Sequence, residues 1–255
     1  MRLIRYQAKK ETIQYGWMSN DKVGRIDGSP FGEFQRLEAS LPLDSVRLFS
    51  PVLPGKIICI GRNYAEHIKE HKAETPTTPI IFFKPPSAVI GPGHTIYLPP
   101  QSQQVEHEAE LVVVIGKRGR WIQPPDASGY IYGYTVGNDV TARDLQFRDS
   151  QWTRGKGFDT FCPLGPWIET EFDPADVIIT CHVNGELRQM ASTKDMLFHV
   201  DQLIAFVSSV MTLEPGDVIM TGTPAGVGPL HAGDVVDVTI DGLGKLSNPV
   251  DLEQH

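Results

Sequence analysis

The chain has 255 residues, of which 40% are hydrophobic and 21% are charged, and its formal net charge is -8. This length allows one large domain, or one domain with a small appendage, and the composition is that of an ordinary globular protein. The acidic balance, without a cluster of Lys and Arg interleaved with aromatic residues, argues against a nucleic-acid partner.

The cysteines indicate a reducing environment. Cys59, Cys162 and Cys181 are odd in number and far apart, and the chain has no C-x-x-C pair. We therefore expect buried, reduced thiols in a cytoplasmic protein. No apolar run approaches the length of a membrane span, and the first residues have no signal-peptide core, so a membrane partner is not expected.

The first 52 residues are predicted to form a small N-terminal β region. Segments 2–6 and 12–17 alternate in the manner of strands. The stretch 50–55 is rich in Pro and Gly and marks a boundary, so residues 53–255 are expected to hold the main domain. Nothing in the first region suggests catalysis.

A buried strand at 56–61 precedes a short polar helix predicted at 65–74, for which Asn63 is the expected N-cap. His67 and Glu70 lie three residues apart, so they share a helix face and can form a hydrogen bond. Such a pair is either an ordinary solvated helix surface or a catalytic pair. The spacing alone does not decide between the two.

Charged residues also lie at strand ends. Lys84 ends a strand just before two prolines, where a lysine is normally solvent-facing but can hold an anion. Asp139 lies where the strand at 131–136 runs into a helix, a position typical either of a turn aspartate or of an acidic ligand. Thr141 and Asp144 resemble a capping box at the start of that helix.

The main signal is the stretch 105–116, which reads VEHEAELVVVIG. Its second half is an apolar, β-branched run, typical of a strand buried on both faces. Its first half places Glu106, Glu108 and Glu110 at alternate positions, which a strand directs to one face. Either this strand end is solvated, or a hard cation such as Mg²⁺ or Mn²⁺ binds among the carboxylates.

The remaining segments predict turns, strands and one longer helix. Asn184-Gly185 is a type I′ hairpin signal, and apolar residues at helical spacing predict an amphipathic helix over 195–211. The stretch 152–158 is expected to be a basic loop, and the Gly-rich loop at 221–229 is either a tight turn or a carboxylate-binding loop. Many short strands without βαβ alternation favour a mainly β, rolled or barrel-like α+β domain with a few helices.

Six phrases, taken in order, resemble the fumarylacetoacetate hydrolase family. They are GRNYAEH at 61–67, FFKPPSA at 82–88, EAELVVVIG at 108–116, GYTVGNDVTARDLQ at 133–146, WTRGKGFD at 152–159 and TGTPAGVG at 221–228. The resemblance runs from about residue 56 to the end of the chain. It implies a mixed β-roll, commonly a homodimer. The first 50 residues carry none of these phrases and only loosely resemble the short N-terminal extension of some bacterial members.

The resemblance also implies a divalent-cation site. Glu108, Glu110 and Asp139 match the acidic metal ligands of the family, and the cation is usually Mg²⁺ or Mn²⁺. Glu106 lies outside this set. Three carboxylates do not fill an octahedral shell singly, so water and substrate are expected to complete it.

The same resemblance implies the roles of further residues. His67 and Glu70 match a pair that activates water, on a helix that closes as a lid, and Lys156 matches a catalytic lysine. The expected substrate is a small anionic 2,4-dioxo acid. The side chains expected to bind it are Arg62, Tyr64, Lys84, Arg143, Gln146 and Thr223.

The implied function is metal-dependent hydrolysis of a C–C bond in an acylpyruvate-like or fumarylacetoacetate-like acid, through a metal-stabilised enolate. Similar machinery serves isomerases and decarboxylases of aromatic catabolism and oxaloacetate decarboxylases, which are the alternative. Those reactions need no attacking water, so the His67–Glu70 pair favours hydrolysis. A third hypothesis, a non-catalytic metal-stabilised binding protein, leaves His67, Lys156 and Arg143 without roles.

Overall fold

The computed structural model describes residues 1–9 and 11–254, and these form a mainly β structure with few helices. The helices are α1 (Ala65–Glu70), α2 (Arg143–Arg148), α3 (Thr153–Lys156) and α4 (Val200–Val210). The strands are β1 (Arg2–Gln7), β2 (Gln14–Ser19), β3 (Lys22–Gly28), β4 (Phe34–Pro42), β5 (Arg47–Phe49), β6 (Ile57–Gly61), β7 (Ile80–Lys84), β8 (Val89–Ile90), β9 (Ile96–Leu98), β10 (Val105–His107), β11 (Ala109–Ile115), β12 (Ile131–Asn138), β13 (Thr141–Ala142), β14 (Cys162–Glu169), β15 (Ile178–Val183), β16 (Glu186–Ser192), β17 (Val218–Met220), β18 (Gly228–Pro229), β19 (Val235–Ile240) and β20 (Gly244–Leu252). The predicted fold class is thus confirmed.

The strands form three sheets. The largest has the order β4-β3-β2-β1-β14-β12-β11-β17-β6-β7, with β5 paired to β1 and β8 paired to β14. The others have the orders β16-β15-β19-β20-β9 and β13-β10-β18. Over residues 1–9 and 11–254 all three sheets stay open, so the barrel-like alternative is wrong. The reason is that β2 to β4 extend one edge of the large sheet, while β7 ends the other.

Strand β11 lies inside the large sheet, between β12 and β17. All of its residues are buried. Leu111 and Val113 pack into one core cluster, whereas Val112 and Val114 pack into another. The predicted strand with two buried faces is therefore confirmed, and it gives the acidic residues at its start a rigid support.

The N-terminal strands belong to the same sheet as β11. Strand β1 pairs with β14, so that Leu3 lies opposite Ile168. Leu3 and Ile26 also pack in the core cluster that contains Val112. Residues before position 52 thus share a sheet and a core cluster with the rest of the chain.

The helix predicted at 65–74 is shorter in the structure and ends at Glu70. Its N-cap is Tyr64 and not the predicted Asn63. The Asn63 side chain donates hydrogen bonds to Phe198 O at 3.0 Å and to Thr221 O at 2.8 Å. Because Asn63 is fully buried, its side-chain amide needs hydrogen-bond partners within the protein. These partners are carbonyl groups far along the chain and not the first residues of the helix.

Other local predictions also differ from the structure. Thr141 and Asp144 form no capping box, because Asp144 accepts a hydrogen bond from Ser102 Oγ at 2.6 Å. The expected loop at 152–158 contains α3. The helix predicted over 195–211 begins only at α4. Its N-cap is His199, whose backbone N–H donates a hydrogen bond to Gln202 Oε1 at 2.9 Å.

The thiols lie as predicted, since Cys59, Cys162 and Cys181 are buried and unpaired. No helix in the described ranges is long and apolar enough to cross a membrane. A homodimer and a cytoplasmic location stay predictions.

Candidate active site

Three buried carboxylates meet at the start of β11. Glu108 lies between β10 and β11, Glu110 belongs to β11, and Asp139 directly follows β12. One oxygen from each of these side chains lies within 4.8 Å of the other two. The strand register brings them together, because Ala109 lies opposite Asn138 and the Asp139 amide donates a hydrogen bond to Glu108 O at 2.9 Å.

Glu106 is not a member of this group of three carboxylates. The strand is interrupted at Glu108, because β10 ends at His107 and β11 begins at Ala109. Glu106 accepts hydrogen bonds from Arg143 Nε at 2.7 Å and from Gln104 Nε2 at 2.5 Å. Its carboxylate therefore pairs with an arginine that also contacts Glu108.

Three cationic side chains contact the carboxylates. Lys156 Nζ donates to Glu108 Oε2 and to Asp139 Oδ2, each at 2.8 Å. Lys84 Nζ donates to Asp139 Oδ1 at 2.5 Å, and Arg143 Nη2 donates to Glu108 Oε1 at 2.5 Å. All of these groups are buried. Such charges are tolerated in the interior only because each has a partner of opposite sign.

The buried glutamates differ in how strongly they ionise. Burial opposes ionisation of Glu108, but Lys156 and Arg143 outweigh it and hold its pKa below the usual value. Burial, reinforced by Asp139 and Glu108, raises the pKa of Glu110 well above its usual value. The negative charge of Glu110 is therefore less offset by neighbouring positive charge than that of Glu108. A bound cation would favour the ionised form of Glu110.

A cavity opens beside the carboxylates and collects most of the predicted residues. Those that line it are Arg62, His67, Glu108, Arg143, Gln146, Lys156 and Thr223. Apolar walls come from Ile60, Phe82 and Trp152, and Phe147 lies at the same cavity. The cavity thus combines a charged floor with an apolar side, a common arrangement for small-molecule sites.

His67 and Glu70 form a pair on α1. His67 Nδ1 lies 3.3 Å from Glu70 Oε2. Burial lowers the pKa of His67, so its imidazole is neutral at neutral pH. Glu70 also accepts hydrogen bonds from Gly226 N at 3.1 and 3.3 Å, which connects α1 to the Gly-rich loop. With its Nδ1 proton directed at Glu70, a neutral His67 has Nε2 free to accept a proton.

Arg143 and Gln146 occupy neighbouring turns of α2. Arg143 Nη1 donates to Gln146 Oε1 at 2.6 Å, and both side chains are buried. The Glu106 and Glu108 carboxylates reinforce the charged form of Arg143, whose pKa stays above its usual value although burial opposes it. Arg143 is therefore a fixed cation that also sets the orientation of the Gln146 amide.

Lys84 and Tyr64, both predicted to bind substrate, are buried away from the lining of this cavity. Lys84 donates to Asp139 Oδ1 and, at 3.0 Å, to Val140 O. Tyr64 packs in the larger core cluster, and within the described ranges its hydroxyl has no hydrogen-bond partner. Burial raises the pKa of Tyr64.

Gln189 is a site residue that the sequence reading missed. Its Nε2 donates to Thr223 Oγ1 and to Pro224 O, each at 2.8 Å. Its Oε1 accepts from Ala109 N at 3.0 Å and lies 3.0 Å from His107 Nδ1. The amide therefore holds the Gly-rich loop beside the start of β11. The sequence holds only a weak sign of this role, which is a glutamine at a position of β16 that alternates with outward-facing side chains. In the structure Gln189 is buried, and the residues on either side of it are exposed.

Comparison with known families accords with this geometry. The model of the fumarylacetoacetate (FAA) hydrolase C-terminal family matches residues 56–251. The chain belongs to the fumarylacetoacetate hydrolase family. The Rv2993c-like, N-terminal family matches residues 1–51. The resemblance carried by the six sequence phrases is thus confirmed.

Several relatives have named activities. The mitochondrial oxaloacetate tautomerase FAHD2B of Bos taurus is 48% identical over 223 residues, which cover 82% of this chain and 71% of that protein. A solved 2-hydroxyhepta-2,4-diene-1,7-dioate isomerase from Mycobacterium marinum is 42% identical over 100% of both chains, with a TM-score of 0.93. A maleylpyruvate hydrolase from Sphingobium sp. SYK-6, solved with manganese(II) and pyruvate, is 32% identical over 100% of both chains, with a TM-score of 0.83. Members of this family are therefore enzymes, and they include a tautomerase, an isomerase and a hydrolase.

Proposed function

We propose that this protein is a divalent-metal-dependent hydrolase that cleaves a C–C bond of a 2,4-dioxo acid such as an acylpyruvate. The observation that carries the proposal is the contact of 3.3 Å between His67 Nδ1 and Glu70 Oε2, with the His67 side chain lining the same cavity as Glu108. A general base beside a cation site is the arrangement that hydrolysis of a chelating substrate requires.

The carboxylates of Glu108, Glu110 and Asp139 fit Mg²⁺ or Mn²⁺. They offer only oxygen ligands, which these hard cations prefer, and the raised pKa of Glu110 indicates that a cation would favour its ionised form. When bound, the cation would hold the carboxylate and 2-keto oxygens of the substrate and stabilise enolate charge. The manganese(II) in the maleylpyruvate hydrolase structure supports this class of ion.

The polar wall of the cavity suits the anionic end of the substrate. Arg62, Gln146 and Thr223 line the cavity and would bind the carboxylate and keto oxygens. Lys156 and Arg143 would offset the negative charge that develops as the bond breaks. Lys84 would act indirectly, because it contacts Asp139, and Tyr64 would support the wall from the core.

His67 would remove a proton from a water molecule, which would attack the 4-carbonyl carbon. Glu70 would stabilise the imidazolium by accepting the hydrogen bond from Nδ1. Cleavage of the bond between carbons 3 and 4 would release the acyl part as a carboxylic acid. The other product would leave as the enolate of pyruvate and would take up at carbon 3 the proton that His67 removed from water, which returns His67 to its neutral form.

The apolar side of the cavity would select the acyl group. Phe82 and Trp152 lie edge to face with ring centroids 5.2 Å apart, and Phe147 is 68% exposed beside the cavity. These rings are expected to favour a flat or apolar acyl group over a strongly charged one.

Keto–enol tautomerisation of oxaloacetate is the second candidate. The 48% identity with the oxaloacetate tautomerase of Bos taurus supports it. A single base beside the cation site suffices to move a proton between carbon and oxygen, so His67 could serve without an attacking water. Isomerisation of a dienoic diacid likewise moves a proton without an attacking water, whereas decarboxylation of oxaloacetate needs stabilisation of the enolate left by CO₂ and no base to form it.

Acetate release from acetylpyruvate tests the proposal. We expect release with Mg²⁺ or Mn²⁺, none with chelator, and a loss of about 10²- to 10⁴-fold in His67→Ala. Glu66→Gln changes an exposed carboxylate on the same helix and is the matched control. Release that is independent of metal or unchanged in His67→Ala would reject the proposed mechanism.

A further inference from the structure

A second group of potential metal ligands, apart from the three carboxylates, lies on α1 and at His71, the residue that follows it. One nitrogen each of His67 and His71 and one carboxylate oxygen of Glu70 lie within 4.8 Å of one another. The residues are three and four positions apart, so their side chains share one side of the helix. The two imidazole rings are 4.5 Å apart between centroids and lie edge to face at 80°.

A neutral imidazole offers one nitrogen lone pair to a metal ion. The Nε2 atom of His71 is buried and has no hydrogen-bond partner among residues 1–9 and 11–254. His71 lines the cavity, and the proposed hydrolysis gives it no role.

The ligand chemistry differs from that of the three carboxylates. Two imidazoles four residues apart on a helix, together with a carboxylate, form a common Zn²⁺ pattern. Imidazole favours Zn²⁺, Cu²⁺ and Ni²⁺, whereas an all-oxygen set suits Mg²⁺ and Mn²⁺. Arg143 opposes a cation here, but its charge is already paired with Glu106 and Glu108.

We infer that His67, Glu70 and His71 form a second metal site, which prefers Zn²⁺ to Mg²⁺ and Mn²⁺, and that its occupation by zinc inhibits the enzyme. A zinc ion bound to either ring nitrogen of His67 would take its one nitrogen lone pair, so the ring could no longer accept a proton from water. The inhibition rests on the proposed function, whereas zinc binding at this site does not.

Zinc binding is measured by competition with a chromophoric chelator in the presence of excess Mg²⁺, which fills the carboxylate site. The variants are His71→Gln, Glu70→Gln and Glu110→Gln, with Glu66→Gln as the exposed control on the same helix. Loss of an outer-shell partner already lowers metal affinity by about 10- to 100-fold, so loss of a ligand is expected to lower it by at least about tenfold.

The inference predicts one zinc ion per wild-type chain, weaker binding in His71→Gln and Glu70→Gln, and undiminished binding in Glu110→Gln and Glu66→Gln. Unchanged zinc affinity in His71→Gln, or loss of zinc binding in Glu110→Gln, would overturn it. Inhibition of turnover by zinc should require higher zinc concentrations in His71→Gln than in the wild type. Tight zinc binding at His71 without inhibition would refute the inhibitory role and leave the site itself in place.

Discussion

The side-chain amide of Gln189 donates a hydrogen bond to Thr223 Oγ1 at 2.8 Å. Gln189 comes from the five-stranded sheet, and Thr223 lies in the Gly-rich loop at the cavity, so the contact connects two separate parts of the fold. Gln189→Ala would leave buried loop groups unpaired, at about 1–3 kcal/mol each. We expect KM for the substrate to rise about tenfold or more, with a smaller change in kcat.

Steady-state kinetics measure this effect, with Met190→Ala as the control because Met190 is the next residue on the same strand and is 62% exposed. Equal KM values in Gln189→Ala and wild type would show that the hydrogen bond does not position the loop.

Lys156 offsets negative charge at two of the three buried carboxylates. Lys156→Gln leaves Glu108 and Asp139 without a buried cation that lies 2.8 Å from each of them. We expect kcat to fall about 10²- to 10³-fold. The free energy of unfolding of the metal-free protein should also fall, by less than the roughly 3–5 kcal/mol of a fully unpaired buried charge, because Glu108 keeps Arg143 and Asp139 keeps Lys84 as a partner.

Activity assays and urea denaturation measure both quantities. Lys69→Gln is the control, since the Lys69 side chain is 71% exposed on α1. Wild-type kcat in Lys156→Gln would remove Lys156 from the proposed mechanism.

The pH profile reports on His67, whose pKa burial lowers from its usual 6.5. A general base acts when neutral, so kcat/KM should be constant above that lowered pKa and fall as the pH drops below it. The folded state also takes up this proton less readily than the unfolded state. The contribution of His67 to stability is therefore lost as the pH falls below about 6.5.

The hydrogen bond to Glu70 raises the pKa of His67, so Glu70→Gln should shift the acidic limb of the profile to lower pH. Kinetics across about pH 5 to 8 test this. An acidic limb centred at or above the usual pKa, or one that Glu70→Gln leaves in place, would argue against His67 as the base.

Glu110 links metal binding to stability. Its pKa is raised well above the usual 4.5, so the folded state holds a proton that the unfolded state has released. The metal-free protein should therefore lose stability as the pH rises above about 4.5. Glu110→Gln removes this ionisation, and its metal-free form should melt at a higher temperature than wild type at neutral pH.

Metal at 100 times its Kd should stabilise the wild type by about 2.7 kcal/mol, or roughly 5–10 °C in Tm for a chain of this length. Glu110→Gln should lose most of this increase. Thermal melts with Mg²⁺, Mn²⁺ or chelator measure it, with the exposed Asp126→Asn as control. A full metal-dependent increase in Glu110→Gln would place the cation elsewhere.

Features that depend on local pattern could be predicted from the sequence. The apolar run of β11 requires burial on both faces of the strand, and all residues of β11 are buried in the structure. Asn184 and Gly185 have φ values of 54° and 80°, the left-handed conformation that a type I′ turn requires. The open ends of the sheets could not be predicted, because they depend on which distant strands pair.

The assembly of the site depends on long-range register. Glu108 and Asp139 are 31 positions apart and meet through the pairing of β11 with β12. The residue types alone therefore do not decide between a solvated strand end and a cation site. Lys84 seemed solvent-facing because nothing near it in the sequence shows that Asp139 is its partner. Gln189 was missed for the same reason, since its partners come from other strands and loops.

The most direct test of the central claim uses acetylpyruvate and oxaloacetate in parallel, in water labelled with oxygen-18 and with Mg²⁺ present. The account predicts acetate that carries one labelled oxygen, formed by the wild type and lost in His67→Ala. Metal-dependent conversion of enol to keto oxaloacetate, with no labelled acetate from acetylpyruvate, would contradict the hydrolase and favour the tautomerase.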